Sequence, residues 1–274
     1  MASAALPVGD ACSEAKLLGR RSLARVPMDL TVRLHLASSP GPLPARARDL
    51  GVGGVCVATP APFALPDLRR VSLLHANERI EVKAEGRWQV EVPGRDGHLS
   101  GIRFHDVDAR TLERLWDAVH TQTKQLSRWL SQHSELKALP LPDLIQLLQA
   151  MRLRELASGE VVYQQGVRQP GDDSILVVRR GRVALETRSP RAQRVALGHA
   201  TAGQVLGGSA VLCGAPPLES AVVCEAASLL EISRASLGFV QAACPALAAD
   251  LAAIVTRSYV LRQHAALCRA LDGR

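Results

Sequence analysis

Two short clusters hold the residues with the most chemical reach. One is Arg20-Arg21-Ser22-Leu23-Ala24-Arg25, and the other is Asp49-Leu50-Gly51-Val52-Gly53-Gly54. Arg21 and Arg25 stand four residues apart, just before a strand-like run. Guanidinium is a planar group with five donors. Two of them can present forks to a phosphate or to the Hoogsteen edge of a guanine. Asp49 can orient an arginine or accept from a guanine N–H. The glycines after it permit close backbone approach. Arg20 could supply a further phosphate contact. This is chemistry for gripping a nucleotide-like anion, not for breaking a bond.

Sets of residues that do break bonds are missing from the sequence. There is no Gly-x-Ser-x-Gly turn, because Gly207-Gly208-Ser209 runs into Ala210-Val211. There is no phosphate loop of the Gly-Lys-Ser type and no His-Glu-x-x-His. The eight histidines are scattered. Asp172-Asp173 and Asp106-Val107-Asp108 read as turn and cap residues. No catalytic residue, metal site or cofactor is therefore expected. The six cysteines, at 12, 56, 213, 224, 244 and 268, form no Cys-x-x-Cys pair. They read as reduced thiols of a cytoplasmic protein.

Those clusters need a scaffold, and the chain is long enough for two domains. Of its 274 residues 47% are hydrophobic and 22% charged, which predicts packed cores instead of disorder. Aromatics are only 3%, so the cores must be built from Leu, Val and Ala. The net charge of +7, carried mostly by arginine, favours anionic partners without choosing among them. Met1 to Leu18 lacks the pattern of a secretion signal and reads as a flexible lead-in. The apolar run Ala246 to Val255 carries Asp250 and is too short to span a bilayer.

Leu30, Val32, Leu34 and Leu36 alternate, which predicts a half-buried strand after the arginines. Ser38 to Pro44 reads as a loop. Short strands are expected at Val55 to Val57, Val71 to Leu74, Ile80 to Ala84, Gly86 to Val92 and Ser100 to Phe104. Such spacing predicts an all-β barrel. Leu112, Leu115, Trp116, Val119, Leu126, Trp129 and Leu130 then fall at helical spacing. They make one long helix, or two joined near Thr121, ending before Pro140. A further helix opens at Pro142. A second set of strands follows, at 161–163, 174–178, 181–185, 194–197, 221–224 and 229–232. A helix from Pro245 to Leu271 closes the chain.

The first half resembles the PilZ domain, whose signature is R-x-x-x-R, a strand, and [DN]-x-S-x-x-G. Arg21 and Arg25 match the first motif, and Asp49 and Gly54 match the second. Gly51 stands where that family has Ser. The likeness covers about residues 18–120, ending at Gly101-Ile102-Arg103-Phe104 and the helix after it. It implies a cyclic di-GMP site made of Arg20, Arg21, Arg25, Asp49, Gly51 and Gly54. Losing one hydroxyl at position 51 should cost about 1 kcal/mol of binding, or up to ~3 if a buried partner is left unsatisfied. Binding is weakened without being abolished.

The second half is similar to a cyclic nucleotide-binding domain over about 140–271. Gly159-Glu160, Gln165-Gly166 and Arg180-Gly181 stand at that family's turn glycines. Ala200 to Leu212 continues into its phosphate cassette. There the family reads F-G-E-x-A-L, then R-x-A-x-V. Gly207, Gly208 and Ser209 occupy the first part, with Gly208 in place of the Glu that holds the ribose. Glu219 and Ser220 occupy the second, with Glu219 in place of the Arg that neutralises the phosphate. No Arg lies between Leu206 and Leu230. An ion pair at ~4 Å and an effective dielectric of about 20 is on the order of 4 kcal/mol. Even a screened loss of ~2 to 3 kcal/mol weakens binding roughly 30- to 150-fold. The expectation is a degenerate cassette that has lost ordinary cyclic AMP binding, with a changed ligand lacking a phosphate as the rival.

Together these readings predict a mainly β protein with helices. A six-stranded PilZ-like barrel over 19–120 follows a flexible stretch at 1–18. A helical linker at 121–139 leads to a jelly-roll domain with flanking helices at 140–274. The function implied is that of a bacterial cyclic di-GMP effector, whose second domain meets a protein partner not named by the sequence. A homodimer is one assembly it allows. DNA is not expected as a partner, since a helix-turn-helix after the last helix is absent from the sequence. The alternatives are a ligand-free scaffold and a dual receptor for cyclic di-GMP and cyclic AMP.

Overall fold

The computed structural model describes residues 25–92, 97–168, 173–188 and 194–272. Arg20, Arg21 and the stretch 1–18 lie outside the described residues. Backbone contacts divide the described chain into two compact units. One is 25–132 with 140–154, and the other is 133–139 with 155–272.

The first unit is built on seven strands: β1 (Arg25–Pro27), β2 (Thr31–Leu36), β3 (Leu43–Gly51), β4 (Gly54–Thr59), β5 (Leu68–His75), β6 (Glu78–Val92) and β7 (Gly97–Phe104). Their order is β1-β3-β2-β5-β6-β7-β4, and β3 also pairs with β4. That last pairing closes β2 to β7 into a six-stranded antiparallel barrel, leaving β1 outside the ring on β3. Closure removes the free edges that an open sheet must protect. In β2, Val32 and Leu34 are buried while Thr31 and Arg33 are exposed, as the alternation predicts. Val71, Leu73, Ile80, Val82, Ile102 and Phe104 complete the core.

Two expectations need correction here. Leu43 and Pro44, read as loop, begin β3, and Asp49 to Gly51 ends that strand instead of forming a turn. The stretch Pro44-Ala45-Arg46-Ala47-Arg48 has few β-formers, so its pairing is set by its neighbours, not by propensity. The second concerns Gly86, which reads as a break but lies inside one 15-residue strand. A register shift falls between Gly86 and Trp88. A Cβ on Gly86 would stand 2.6 Å from Leu65 Cδ2, so the glycine admits a neighbouring side chain.

Helix α1 (Ala109–His133) is a single helix, capped at its start by Asp108, whose carboxylate accepts from Thr111 N at 2.9 Å. Leu115, Ala118, Val119, Leu126 and Leu130 form its buried stripe. Helix α2 (Leu141–Ala150) packs on β1. Gln122 of α1 donates from Nε2 to Pro27 O at 3.0 Å, so the short outer strand is held by both helices.

The second unit is a β-sandwich with helices. Its strands are β8 (Arg152–Leu156), β9 (Val161–Tyr163), β10 (Ser174–Arg188), β11 (Arg194–Ala200), β12 (Val205–Gly207) and β13 (Ser220–Ser233). They run β11-β10-β13-β8, with β12 on β10 and β9 on β13. The pairs of strands expected at 174–185 and at 221–232 are each one long strand, bent by register shifts around Arg180 and Arg182. Gly181, at φ +84°, permits the bend. Helices α3 (Ser209–Cys213), α4 (Arg234–Ala243) and α5 (Pro245–Asp272) complete the unit. Leu176, Val178, Leu206, Val223 and Leu229 form its core, and Ala266 of α5 joins them.

Candidate functional site

In the barrel, β1 brings Arg25 onto the end of β3. The register sets Arg25 opposite Gly51 and Pro27 opposite Asp49. On the other side of β3, Asp49 faces Cys56 and Gly51 faces Gly54. Arg25 Nη1 donates to Asp49 Oδ1 at 2.9 Å. The carboxylate is nearly buried, at 3% exposure, whereas the guanidinium keeps 21%. A short, charge-assisted bond of this kind fixes the fork while leaving donors for another acceptor. Gly54 explains itself by contact. A Cβ there would lie 2.2 Å from Ile102 O and 3.3 Å from Arg25 Nη2. The glycine lets β4 meet β7 and leaves the guanidinium its place. The described members of the cluster, Arg25, Asp49, Gly51 and Gly54, therefore meet at one end of β3. Arg20 and Arg21 precede Arg25 and lie outside the described residues.

In the sandwich, β12 ends at Gly207, and Gly208 caps α3, with φ of +69° and +93° respectively. Both angles are in the region that favours glycine. Ser209 is the first residue of α3. The hydroxyl of Ser220 accepts from Gln165 N at 3.0 Å, which ties β13 to the loop after β9. Glu219 is buried, at 3% exposure. It accepts from Tyr163 Oη at 2.9 Å, and that hydroxyl in turn accepts from Gly207 N at 3.3 Å. Arg262 of α5 places Nη2 3.8 Å from Glu219 Oε1. Its Nη1 donates to Val205 O at 2.6 Å. Burial pushes the Glu219 carboxyl above the usual range, while Arg262 and the Tyr163 hydroxyl draw it back in part. Burial, then the Glu219 charge, pushes the Tyr163 phenol well up, so it remains a donor.

Sequence reasoning missed three residues here: Tyr163, Val255 and Arg262. A Cβ on Gly208 would stand 2.5 Å from Val255 Cγ1, so α5 lies directly on the cassette. No spacing rule connects Glu219 to an arginine 43 positions later on an otherwise ordinary helix. The only signal was the unpaired carboxylate itself. Its burial demands a donor or a cation somewhere in the fold.

Among the described residues, no helix is long and apolar enough to cross a membrane. Among the same residues, no group of three or more His, Cys, Asp or Glu is placed to hold a metal ion.

The PilZ domain family matches residues 19–120, and the cyclic nucleotide-binding domain family matches 153–241. No curated protein matches the sequence. Among solved structures, a cyclic nucleotide-binding domain from Methylobacillus flagellatus KT is 17% identical with a TM-score of 0.47, covering 56% of this chain and 85% of that one. The regulatory domain of Toxoplasma gondii PKA, solved with cAMP, is 15% identical with a TM-score of 0.45, covering 84% and 79%. The Thermus thermophilus catabolite activator protein is 22% identical with a TM-score of 0.42, covering 50% of this chain and 62% of that one. Both matched families are ligand-binding regulatory domains without catalytic machinery. The chain thus carries a PilZ domain over 19–120 followed by a cyclic nucleotide-binding domain over 153–241.

Proposed function

We propose that this protein is a bacterial cyclic di-GMP effector acting in the cytoplasm. The dinucleotide binds the barrel through Arg20, Arg21, Arg25, Asp49 and Gly54, with Gly51 giving backbone approach. The second domain serves as the surface that meets a protein partner. The observation that carries this reading is the Arg25–Asp49 pair. It is a part-exposed guanidinium, pre-oriented by a buried carboxylate at 2.9 Å, beside a glycine that keeps its space open. Pre-orientation lowers the ordering cost of binding an anion.

β1 also gives the ligand something to move. It carries Arg25, Gln122 of α1 holds its Pro27 carbonyl, and α2 packs on it. A ligand that favours one placement of β1 biases both helices within the same unit, and only such a differential interaction can shift an equilibrium.

Isothermal titration of the full chain with cyclic di-GMP tests the proposal. Saturable heat is expected for the parent protein, with loss in Arg21→Ala and Arg25→Ala. Absence of heat from the parent would leave the scaffold reading in possession. The dual-receptor reading is opposed by Glu219, whose buried carboxylate stands in the cassette where a phosphate would need a cation.

A further inference from the structure

The cassette of the second domain contains its own cation. We infer that Arg262 is the resident occupant of that site, and that α5 acts as a built-in latch holding the domain closed without a nucleotide. Four contacts from one helix fall on one face of the unit. Val255 fills the space beside Gly208. Arg262 reaches Val205 O and Glu219. Ala266 enters the core. Arg269 Nη2 donates to Leu197 O at 2.7 Å. These positions recur at helical spacing, so one side of α5 is committed to the domain along several turns, with Val255 and Arg262 on the cassette itself.

The chemistry of the pair argues for a latch over a passive core contact. Glu219 Oε1 is taken by Tyr163, while Oε2 has no hydrogen-bond partner among the described residues. Arg262 Nη2 stands 3.8 Å from Glu219 Oε1 without a direct bond, and its Nε is likewise without a partner among the described residues. Each group offsets the burial of the other. Neither is fully satisfied, so the contact is one that can be undone. A phosphate could not enter beside Glu219 without displacing Arg262 and then meeting a carboxylate. The site is therefore closed to anions twice, by occupancy and by charge.

The test is hydrogen exchange on the full chain. It compares amides of α5 from 257 to 269 with those of β10 and β13. In Glu219→Arg and in Arg262→Glu, α5 should exchange at least about tenfold faster, while β10 and β13 keep parental protection. The Glu219→Arg/Arg262→Glu double variant should return α5 to within about threefold of the parent, because opposite charges again face each other. Unchanged α5 exchange in both single variants would overturn the inference. So would equal loss across α5, β10 and β13, which would make the pair part of the global core. A double variant no better than the singles would overturn it as well. If the reversals do not fold, Glu219→Gln and Arg262→Gln are read instead. Each should loosen α5, and the two together should do so by less than the product of their effects. Multiplicative effects would mean the residues are not coupled.

Discussion

The two domains use the same ion pair in opposite ways. In the barrel, Arg25 sits at the rim of a buried carboxylate, bonded at 2.9 Å and 21% exposed. In the sandwich, Arg262 is only 11% exposed and approaches a buried carboxylate at 3.8 Å. On the reading proposed, the first arginine is a receptor, oriented from behind and open in front, and the second is already the guest. Exposure of the cation, more than the presence of the pair, decides whether an anion can still be received.

The sharpest way to break this contrast is to remove the receptor. Arg21→Ala combined with Arg25→Ala should weaken cyclic di-GMP by at least about 1000-fold, roughly 4 kcal/mol, measured by titration. Arg25→Ala alone also strands Asp49 beneath the surface. The barrel should lose on the order of 3 kcal/mol in denaturant unfolding, since an uncompensated buried charge is costly. A variant that keeps full affinity would mean the open guanidinium is not the ligand's grip.

Next in size are the glycines that admit each arginine's neighbourhood. At Gly54 a methyl group would meet Ile102 O at 2.2 Å, a backbone atom that cannot step aside. Gly54→Ala should cost about 3 kcal/mol and loosen the β4–β7 pairing. At Gly208 a methyl would meet the end of Val255 at 2.5 Å, at φ +93°. Gly208→Ala should cost about 2 kcal/mol, since a side-chain tip can rotate but the left-handed backbone is still strained. Amide exchange should place the first effect in the barrel strands and the second in α5.

Much of this was readable in the chain, for identifiable reasons. The barrel showed in the alternation of Val32, Leu34 and Leu36 and in the spacing of the short strands that follow. The cluster at Asp49 was readable because a motif is a local spacing. Strand β3 was not, because Pro44 to Arg48 owes its conformation to partners on both sides. Long bent strands were read as pairs because Gly86 and Gly181 break a pattern without breaking a ladder. Arg262 was invisible for a different reason. Its partner is set by tertiary packing of a helix whose face the sequence shows but whose destination it does not.

The pH dependence separates the domains more finely. Burial raises the Glu219 carboxyl above its unfolded value, with Arg262 and Tyr163 opposing. A raised acid binds its proton more readily in the folded state. Its contribution is complete below the unfolded glutamate value, about 4.3, and is lost as pH rises through the folded value. Glu219→Gln has no such titration. The parent's stability relative to this variant should therefore fall as pH rises from about 4. Asp173 supplies an internal control of opposite sign. Burial would raise it, but Arg168 and Arg234 together hold it below the usual range. Its contribution is present above the unfolded aspartate value, about 3.9, and is lost as pH falls through the folded value. Thermal unfolding of parent, Glu219→Gln and Asp173→Asn across this range reads both. A flat difference for Glu219→Gln would mean the cassette carboxylate is better compensated than its surroundings show.

The smallest effect asks how finished the receptor is. Gly51 faces Arg25 across β1 and Gly54 across β4, so a side chain at this position stands between the two members of the grip. The resemblance to the PilZ signature puts a hydroxyl there. Gly51→Ser supplies one neutral hydrogen-bonding group and reduces the freedom of the unfolded chain. A gain of about 1 kcal/mol, or roughly fivefold in affinity for cyclic di-GMP, is expected by titration. No comparable single change should give the cassette affinity for cyclic AMP, because a hydroxyl refines an open site but does nothing for one already filled. If Gly51→Ser weakens the dinucleotide instead, the backbone at position 51 approaches the ligand more closely than a side chain allows. The glycine would then be part of the receptor and not a gap in it.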